Sequence, residues 1–333
     1  MKSTIYDVAK KVGVSTTTVS KVINNTGRIS ERTKKKVLEA IDELNYKPNV
    51  MATALKGKLT STIGLLIPDM ANPFFADLSR RIEDEAHELG YNLFICSTDY
   101  DPKKEKKYIE LFKTKNVDGI ICASGCEDYT SIVQLVKENF PIGAVARNYN
   151  NLEIDTVATD DFMGGYKAAT HLINLGHKNI AILAKNVESN RSRINGFLQA
   201  LEENKIKPRQ DLNFVSSIST ENGKKFTDKY LSSPNPPTAI FALNDLLAVG
   251  AMQSAIERGL SIPQDISIIG YDDSFIASIV IPSLTTIAQS TYTLGKQIVN
   301  LIDAQIKGEK QERTRILLSP QLVIRNTTAQ ANL

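Results

Sequence analysis

Residues 4–24 read TIYDVAKKVGVSTTTVSKVIN, and this stretch decides the fold of the N-terminal part of the chain. Thr4 and Asp7 form a capping-box variant, and Gly13 is placed to end the helix that they begin. The apolar residues between them follow the i, i+3, i+4, i+7 spacing of one helix face. These residues are Ile5, Val8, Ala9 and Val12. The pattern predicts a short amphipathic helix that packs against a neighbour.

A second short helix is predicted after the glycine turn. Ser15 is its N-cap, and Val19, Val22 and Ile23 face back toward the first helix. The outward residues are Thr16, Thr17, Thr18, Ser20 and Lys21. Two short helices joined by a glycine-containing turn, with hydroxyls and a cation on the outside of the second, are typical of a helix-turn-helix that reads DNA. A helical hairpin in an unrelated core is the alternative.

A third helix is predicted at Arg32–Asn45, opened by Ser30 and Glu31 and carrying a lysine run at 34–36. Residues 1–58 hold 12 Lys or Arg against 5 Asp or Glu, whereas the net charge of the whole chain is +3. The excess of positive charge is therefore confined to the front of the chain. A polyanion is expected to bind there, with an affinity that depends on salt.

Length and composition indicate the class of the whole chain. Its 333 residues, 42% apolar and 23% charged, predict a soluble protein of two or three domains. The sequence has no run of 18 apolar residues and no leader pattern, so we expect a cytoplasmic protein that does not contact a membrane. Cys96, Cys122 and Cys126 form no CxxC pair and are predicted to be buried thiols, with a metal site at the last two as the weaker alternative.

From Thr62 onward, short apolar runs alternate with helical stretches. Runs that are apolar almost throughout indicate strands covered on both faces, and their alternation with helices indicates parallel sheets. The runs are IGLLI (63–67), NLFICS (92–97), VDGIICAS (117–124), IGAVA (142–146), NIAILA (179–184), NFVSSI (213–218), AIFAL (239–243) and ISIIGYD (266–272). Because the pattern occurs twice, this part is predicted to be α/β with two Rossmann-like lobes.

Polar and aromatic side chains follow these strands, at the edge where open α/β sheets bind ligands. They are Asn72, Phe74, Phe75, Arg147, Arg193, Asn244 and Asp272. Aromatic faces beside amide, carboxylate and guanidinium groups suit a polyol. The same Asn-Pro and Asp-Asp pairs are also common in turns and caps, so that interpretation stays open.

The N-terminal part of the chain that contains the three predicted helices is called the head. Together with YKPNVMATAL at 46–55, it resembles the DNA-binding head and hinge helix of the lactose-repressor and galactose-repressor family of bacterial transcription regulators. The resemblance runs from Thr4 to about Asn326. The motifs TIYDVAK, YKPN, CSTDYDPKKE and VDGII are similar to those of the degradation-activator and catabolite-control branches. The resemblance implies a homodimeric repressor of a carbohydrate-related operon. This repressor would bind a pseudo-palindromic operator under the control of a sugar-like effector and would need no cofactor.

The resemblance also implies the domain boundaries. Residues 1–48 would be an all-α helix-turn-helix domain, 49–61 a hinge helix and linker, and 62–333 a core like the periplasmic binding proteins. Lobe one would comprise 62–158 and 289–318, and lobe two 159–288 and 319–333. A hinge of about two turns is marginal in water, so it would form only when held in the DNA minor groove.

The resemblance assigns DNA contacts to the residues at matching positions of the family's motifs. Thr16, Thr17 and Lys21 would read base edges, and Arg28 would contact bases or phosphates. Phosphate contacts fall on Tyr6, Ser15, Ser20, Asn24, Ser30 and Thr33, and hinge contacts on Asn49 and the groove-wedging Leu55. The two threonines are short, so Lys21 is expected to make the strongest contact, to a guanine; threonines that read a thymine methyl are the alternative. For Leu55 the alternative is an ordinary linker leucine.

The resemblance assigns effector contacts to Phe74, Phe75, Arg193, Asn244, Asp272 and Gln289, and the strand-end argument adds Asn72 and Arg147. Family members often carry Asp-Arg where this chain has Ala146-Arg147. Two arginines without that acid favour an anionic effector, such as a sugar acid or a sugar phosphate.

No catalytic constellation is present: the chain lacks GxSxG, GxxxxGK[ST], HExxH and GxGxxG after a strand, so we predict neither an enzyme nor a metal site. Asp99 and Asp101 fit a loop and cap better than a cation site. The histidines are predicted to be surface or capping residues; they are His87, His171 and His177.

Two rival functions remain: a plain solute-binding protein, and a regulator whose corepressor is a phosphorylated phosphocarrier protein.

Overall fold

The computed structural model describes residues 3–23, 26–46, 59–124, 126–147, 149, 152–210, 213–309 and 312–332. The chain forms two compact units, Met1–Thr60 and Ser61–Leu333. Asn24 and the predicted hinge contacts Asn49 and Leu55 lie outside the described residues.

The described part of the first unit contains three helices: α1 (Ile5–Val12), α2 (Thr16–Ile23) and α3 (Glu31–Glu43). One fully buried valine from each helix meets at the centre, and smaller side chains fill the space around them. This core consists of Val8, Ala9, Val19, Val22, Val37 and Ala40. The apolar faces read from the sequence therefore face one another.

Local capping sets the ends of these helices. The Asp7 carboxylate accepts hydrogen bonds from the backbone nitrogen and the hydroxyl of Thr4, at 2.8 and 2.7 Å. These bonds lower the pKa of Asp7. Gly13 ends α1 with φ 72°, a backbone conformation that glycine adopts without strain. Ser15 accepts a hydrogen bond from the Thr18 nitrogen at 3.1 Å and so caps α2.

In the residues that the structure describes, the second unit contains two six-stranded sheets. The strands of the first sheet, in their order across it, are β11 (Arg315–Leu318), β5 (Asp155–Thr159), β4 (Ile142–Val145), β3 (Gly119–Ala123), β1 (Thr62–Ile67) and β2 (Asn92–Ser97). Those of the second are β12 (Gln321–Val323), β10 (Thr285–Ala288), β9 (Ser267–Asp272), β8 (Ala239–Ala242), β6 (Ile180–Lys185) and β7 (Asn213–Val215). All pairings are parallel except that of β10 with β12.

Helices cover both faces of each sheet, so each lobe has two apolar clusters, one on either side of its strands. The helices of the first lobe are α4 (Pro73–Glu88), α5 (Pro102–Thr114), α6 (Tyr129–Lys137) and α12 (Thr291–Ile306). Those of the second are α7 (Asp161–Asn174), α8 (Glu188–Glu203), α9 (Thr220–Leu231), α10 (Asp245–Glu257) and α11 (Phe275–Ile279). None of the helices described is both long and apolar enough to cross a membrane.

The chain passes between the two lobes three times: after β5, after β10, and between β11 and β12. β5 runs to Thr159, so the first lobe extends one residue beyond the predicted boundary at 158. Asp160 follows the first passage and Gln289 lies at the second. Several connections of this kind allow two lobes to open and close as hinged bodies.

Candidate functional site

The outward face of α2 presents the side chains predicted to read DNA. Thr17 and Lys21 are exposed, and Thr16 is half-buried. A Cβ built on Gly27 would lie 3.4 Å from Cδ of Lys21, so the lysine stem passes close to the turn that follows α2.

The predicted phosphate contacts surround this face. Tyr6 is 73% exposed, Arg28 and Ser30 are exposed, and Ser20 and Thr33 are half-buried. The hydroxyls of Ser15 and Ser30 each lie 2.9 Å from that of a threonine three residues further on. They therefore cap their helices as well as lying on the surface. The outward face of α2 is therefore bordered by hydroxyl groups and one arginine.

In the second unit, a cavity lies between the lobes. Seven of the eight predicted effector residues line it: Asn72, Phe74, Phe75, Arg193, Asn244, Asp272 and Gln289. The sequence reasoning did not select Tyr100, Ser124, Ala146, Val187, Ser189, Asn190, Ile218 and Leu243, which also line it.

Asp272 is the central acceptor of this cavity. The side-chain amides of Asn244 and Gln289 donate to its two carboxylate oxygens, the second at 2.8 Å. Its backbone has φ 114°, a region that costs a non-glycine residue about 1–3 kcal/mol and is typical of functional sites. Burial raises the pKa of Asp272 above its ordinary value. The two amide donors therefore hold the carboxyl group in place.

Arg193 is held from three sides. Nε donates to Oδ1 of Asp161 at 2.7 Å, and Nη1 donates to the carbonyl of Leu243 at 2.9 Å. The guanidinium carbon lies 3.6 Å from the centre of the Tyr271 ring. Burial alone would lower the pKa of Arg193, but the nearby Asp161, Tyr271 and Asp272 reverse the effect and raise it. None of these hydrogen bonds uses Nη2.

The aromatic wall comes from the start of α4. The rings of Phe74 and Phe75 meet edge to face, with 5.2 Å between centroids, and both side chains are buried. Oδ1 of Asn72 accepts a hydrogen bond from the Phe74 nitrogen at 3.1 Å, so Asn72 is the helix cap as well as a wall of the cavity. The cap interpretation and the binding interpretation of Asn72 are therefore compatible.

Arg147 does not line this cavity, which corrects the expectation that it would face the same ligand as the other seven. Its Nη1 donates to the carbonyl of Cys126 and to Glu127, and its Nη2 donates to the hydroxyl of Tyr129. Tyr149 stacks on it, with 4.4 Å between guanidinium carbon and ring centre. Its neighbour Ala146, at φ 56°, lines the cavity instead.

Tyr100 is the functional candidate that sequence reasoning missed. It follows β2 in the first lobe, and Nζ of Lys185, at the end of β6 in the second lobe, lies 3.3 Å from the centre of its ring. The contact therefore joins the two lobes beside the cavity. Asp99 and Tyr100 both have positive φ, at 56° and 58°. The motif CSTDYD marked this turn, but nothing in it indicated where the ring would point.

Comparison with known proteins agrees with both units. Residues 4–49 match the family described as bacterial regulatory proteins, lacI family, and residues 169–328 match a periplasmic binding protein-like domain. The chain is 45% identical to the HTH-type transcriptional regulator DegA of Bacillus subtilis (strain 168) over 337 residues, with all of both chains covered. The chain belongs to the lacI family of bacterial regulatory proteins.

Two solved structures of lacI-family proteins extend the match to three dimensions. The lac repressor dimer bound to operator and the anti-inducer ONPF is 31% identical, with a TM-score of 0.89 over 99% of this chain and 100% of that one. A lacI-family regulator from Enterococcus faecium with bound ribose is 35% identical, with a TM-score of 0.74 over 81% of this chain and 100% of that one.

Membership in the lacI family confirms the resemblance and the fold class predicted from the sequence. The protein is a DNA-binding transcriptional regulator, and its relatives are regulators rather than enzymes. Among the described residues, no group of three or more His, Cys, Asp or Glu side chains is arranged to hold a metal ion.

Proposed function

We propose that this regulator is a homodimeric repressor whose affinity for a pseudo-palindromic operator is controlled by an uncharged sugar bound between its lobes, without a further cofactor. The observation that carries the proposal is the fixed acceptor Asp272, which lies in the same cavity as Arg193 and a phenylalanine wall. A sugar ring presents hydroxyls to the first two groups and C–H bonds to the third. The ribose bound to the related Enterococcus faecium regulator supports the same ligand class.

The charge of the site favours a neutral sugar over an anion. The anionic expectation depended on two unpaired arginines. Arg147 faces elsewhere and bonds Glu127, and the charge of Arg193 is balanced by Asp161 at 2.7 Å. Burial raises the pKa of Asp272 to about 8, so this group adds no positive charge that would attract an acid or a phosphate.

Effector closure provides a physical route to regulation. A 100-fold change in operator affinity requires only about 2.7 kcal/mol of coupling between the two sites. A few hydrogen bonds that form only in the closed cavity reach that value.

Operator binding and effector response should be measured on the full chain by fluorescence anisotropy, with DNA fragments from the surrounding genomic region. Sugars and a phosphorylated phosphocarrier protein should be titrated separately. The proposal expects one sugar to change the operator Kd at least tenfold, with no requirement for the phosphoprotein. A response to the phosphoprotein alone would favour the corepressor alternative, and binding no tighter than to random competitor DNA would contradict the proposal.

Replacing Lys21 by alanine is expected to weaken operator binding by about 1–3 kcal/mol, because an exposed lysine on the reading face would lose its base contact. Anisotropy titrations against operator and random DNA measure the loss. Lys207→Ala is the matched control, since it removes the same charge from an exposed position of the second unit. Equal losses in the two variants would indicate a general charge effect and no specific role for Lys21.

Replacing Ile281 by aspartate is expected to dissociate the proposed dimer. Phe275, Ile279 and Ile281 are 65, 64 and 90% exposed, and the first two share one face of α11. Such a concentration of exposed apolar side chains is typical of an interaction surface. Analytical ultracentrifugation should show a monomer at micromolar concentration, while Phe214→Asp, at an exposed site on β7, should remain dimeric. A dimeric Ile281→Asp variant would place the interface elsewhere.

A further inference from the structure

Asp245 is a buried carboxylate at the start of α10, next to the lining of the cavity between the lobes but not part of it. The residue is only 1% exposed. Its two oxygens accept hydrogen bonds from different parts of the second lobe. Oδ1 accepts from the Thr286 hydroxyl at 2.7 Å, and Oδ2 accepts from the backbone nitrogen and the hydroxyl of Ser274, at 2.8 and 2.9 Å. Asp245 therefore joins the start of α10 to two other segments of the chain.

The three joined segments supply the hydrogen-bonded group of polar side chains in the cavity. The acceptor Asp272 and its amide donors Asn244 and Gln289 lie at or just after the ends of β9, β8 and β10, which are neighbours in the second sheet. Asp245 directly follows Asn244 in the sequence. The serine that donates to it lies two residues after Asp272, and the threonine lies three residues before Gln289. One side chain outside the cavity thus ties together the segments that carry all three.

The turn after β9 has a strained backbone that needs such support. Asp272 and Asp273 have φ angles of 114° and 56°, a region that is costly for residues other than glycine and persists only where the surroundings fix it. Asp245 binds Ser274 directly. Its other partner, Thr286, accepts a hydrogen bond from the Asp273 nitrogen at 3.4 Å. The two residues that follow Asp272 are therefore both held by Asp245, one directly and one through Thr286.

The Asp245 carboxylate also packs closely against β9. A Cβ built on Gly270, in that strand, would collide with its Oδ1, so glycine at this position lets the carboxylate lie directly against the strand. Burial raises the pKa of Asp245 to about 7, whereas the hydrogen bonds from Thr286 and Ser274 act in the opposite direction. A buried carboxyl group is unfavourable unless its hydrogen bonds are made, so these donors favour a single orientation of the side chain.

We propose that Asp245 is a positioning residue of the effector site, which sets the relative positions of Asn244, Asp272 and Gln289 without contacting the effector. This inference deepens the proposed function and rests on it, because it concerns the same cavity. Loss of the Asp245 carboxylate leaves its donors without an acceptor and releases the turn after β9. Asp272 then no longer meets both amides, and the effector binds more weakly although every residue that touches it is unchanged.

Isothermal titration calorimetry on the full chain measures this effect. Ribose, glucose, galactose, cellobiose and lactose are titrated into the wild-type protein, and the sugar that binds most tightly is used for the variants. Asp245→Ala is expected to weaken binding about tenfold, because buried donors are left unpaired. Thr286→Val removes one of these donors and is expected to weaken binding about threefold, which keeps the test valid if Asp245→Ala does not fold. Wild-type affinity in the folded variants would overturn the positioning role.

Two further variants separate positioning from stability. Asp228→Ala removes a carboxylate of the same lobe that accepts from the Ser254 hydroxyl and from Nε of Arg258, both at 2.9 Å, and that does not line the cavity. It should lower the melting temperature and leave sugar affinity within about twofold of wild type. Asp245→Asn keeps an oxygen that can accept from Ser274, so its affinity should lie between those of wild type and Asp245→Ala. Equal losses of affinity in Asp228→Ala and Asp245→Ala would show an effect of stability alone and contradict the proposal.

Crystal structures of the ligand-free wild type and of Asp245→Ala, or of Thr286→Val if the first variant does not fold, test the same role without any sugar. We expect φ of Asp272 to change in the variant and at least one of the amides of Asn244 and Gln289 to lose its hydrogen bond to Asp272. An unchanged turn after β9 would overturn the proposal. If no sugar binds to the folded wild-type protein, the proposed effector class fails, and this comparison still decides whether Asp245 positions the three side chains.

Discussion

Replacing Arg193 by alanine is expected to abolish the response of operator binding to the effector, with effector affinity reduced by about 100-fold, or about 2.7 kcal/mol. Arg193 is the buried cation of the cavity, and Nη2 takes part in none of the hydrogen bonds that hold it to Asp161 and Leu243. A hydrogen bond to a charged group contributes about 1.5–3 kcal/mol. Calorimetry with the best-binding sugar and anisotropy with operator DNA measure the two effects.

The controls for Arg193→Ala address folding and charge. Removing the arginine leaves the Asp161 carboxylate partly buried without its partner, so some loss of stability is expected as well. The double variant Arg193→Ala with Asp161→Asn removes that carboxylate charge. Arg191→Ala removes an arginine that is 60% exposed and only loosely paired with Glu188, at 3.6 Å, and it should behave as wild type. A folded Arg193→Ala protein with normal effector response would place the binding site elsewhere.

The head could be predicted in detail because local patterns determine it. Thr4, Asp7 and Gly13 specify the two ends of α1 through contacts within a few residues. The apolar spacing of α1 and α2 then decides which faces meet. Such signals are contained in short windows of sequence, so no long-range information was needed.

Strands β5 and β10 of the second unit are among those that escaped prediction, because they are polar. β5 reads DTVAT and β10 reads TTIA, yet all of β5 is buried, as are the first three residues of β10. Asp155 is tolerated there because Gln305 and the Thr314 nitrogen donate to it. These partners lie more than 140 residues away in sequence, so apolar patterning could not reveal them.

His177 shows the same limit. It follows the turn after α7 and was predicted to be a surface or capping residue, which is wrong. The ring is only 3% exposed and lies within 3.1 Å of hydroxyls of Thr238 and Ser267 and the carbonyl of Ala329. Burial lowers the pKa of His177. Its partners come from three distant segments, including the C-terminal tail, which local sequence cannot anticipate.

The cavity was predictable to the extent that strand ends meet at one edge of a sheet. That rule brought Asn244 and Asp272 together correctly, because β8 and β9 are neighbours. The rule could not predict which way a side chain points within a loop. Ala146 and Arg147 are adjacent, yet the first lines the cavity between the lobes and the second bonds the loop after β3. Ala146 has a positive φ of 56°, a backbone conformation that the sequence pattern did not indicate.

Replacing Gly196 by alanine is expected to lower the free energy of unfolding by about 3 kcal/mol, the upper part of the usual range for overpacking. Helices α7 and α8 approach so closely that a Cβ on Gly196 would lie 1.8 Å from the carbonyl oxygen of Phe162. Gly165 makes the reciprocal approach, with its Cβ 1.8 Å from the carbonyl oxygen of Arg193. The obstacle in each case is backbone, so the helices must move apart.

The sign of this effect makes the experiment decisive. On helix propensity alone, glycine to alanine inside a helix stabilises by about 1 kcal/mol. Asn195→Ala, at the exposed neighbouring position of α8, measures the propensity contribution without the collision and should change stability little. Urea unfolding followed by circular dichroism compares the variants. Separation of the helices would also stretch the hydrogen bond from Arg193 to Asp161, so effector affinity should fall together with stability. A Gly196→Ala protein as stable as wild type would show that the helices do not pack at this distance.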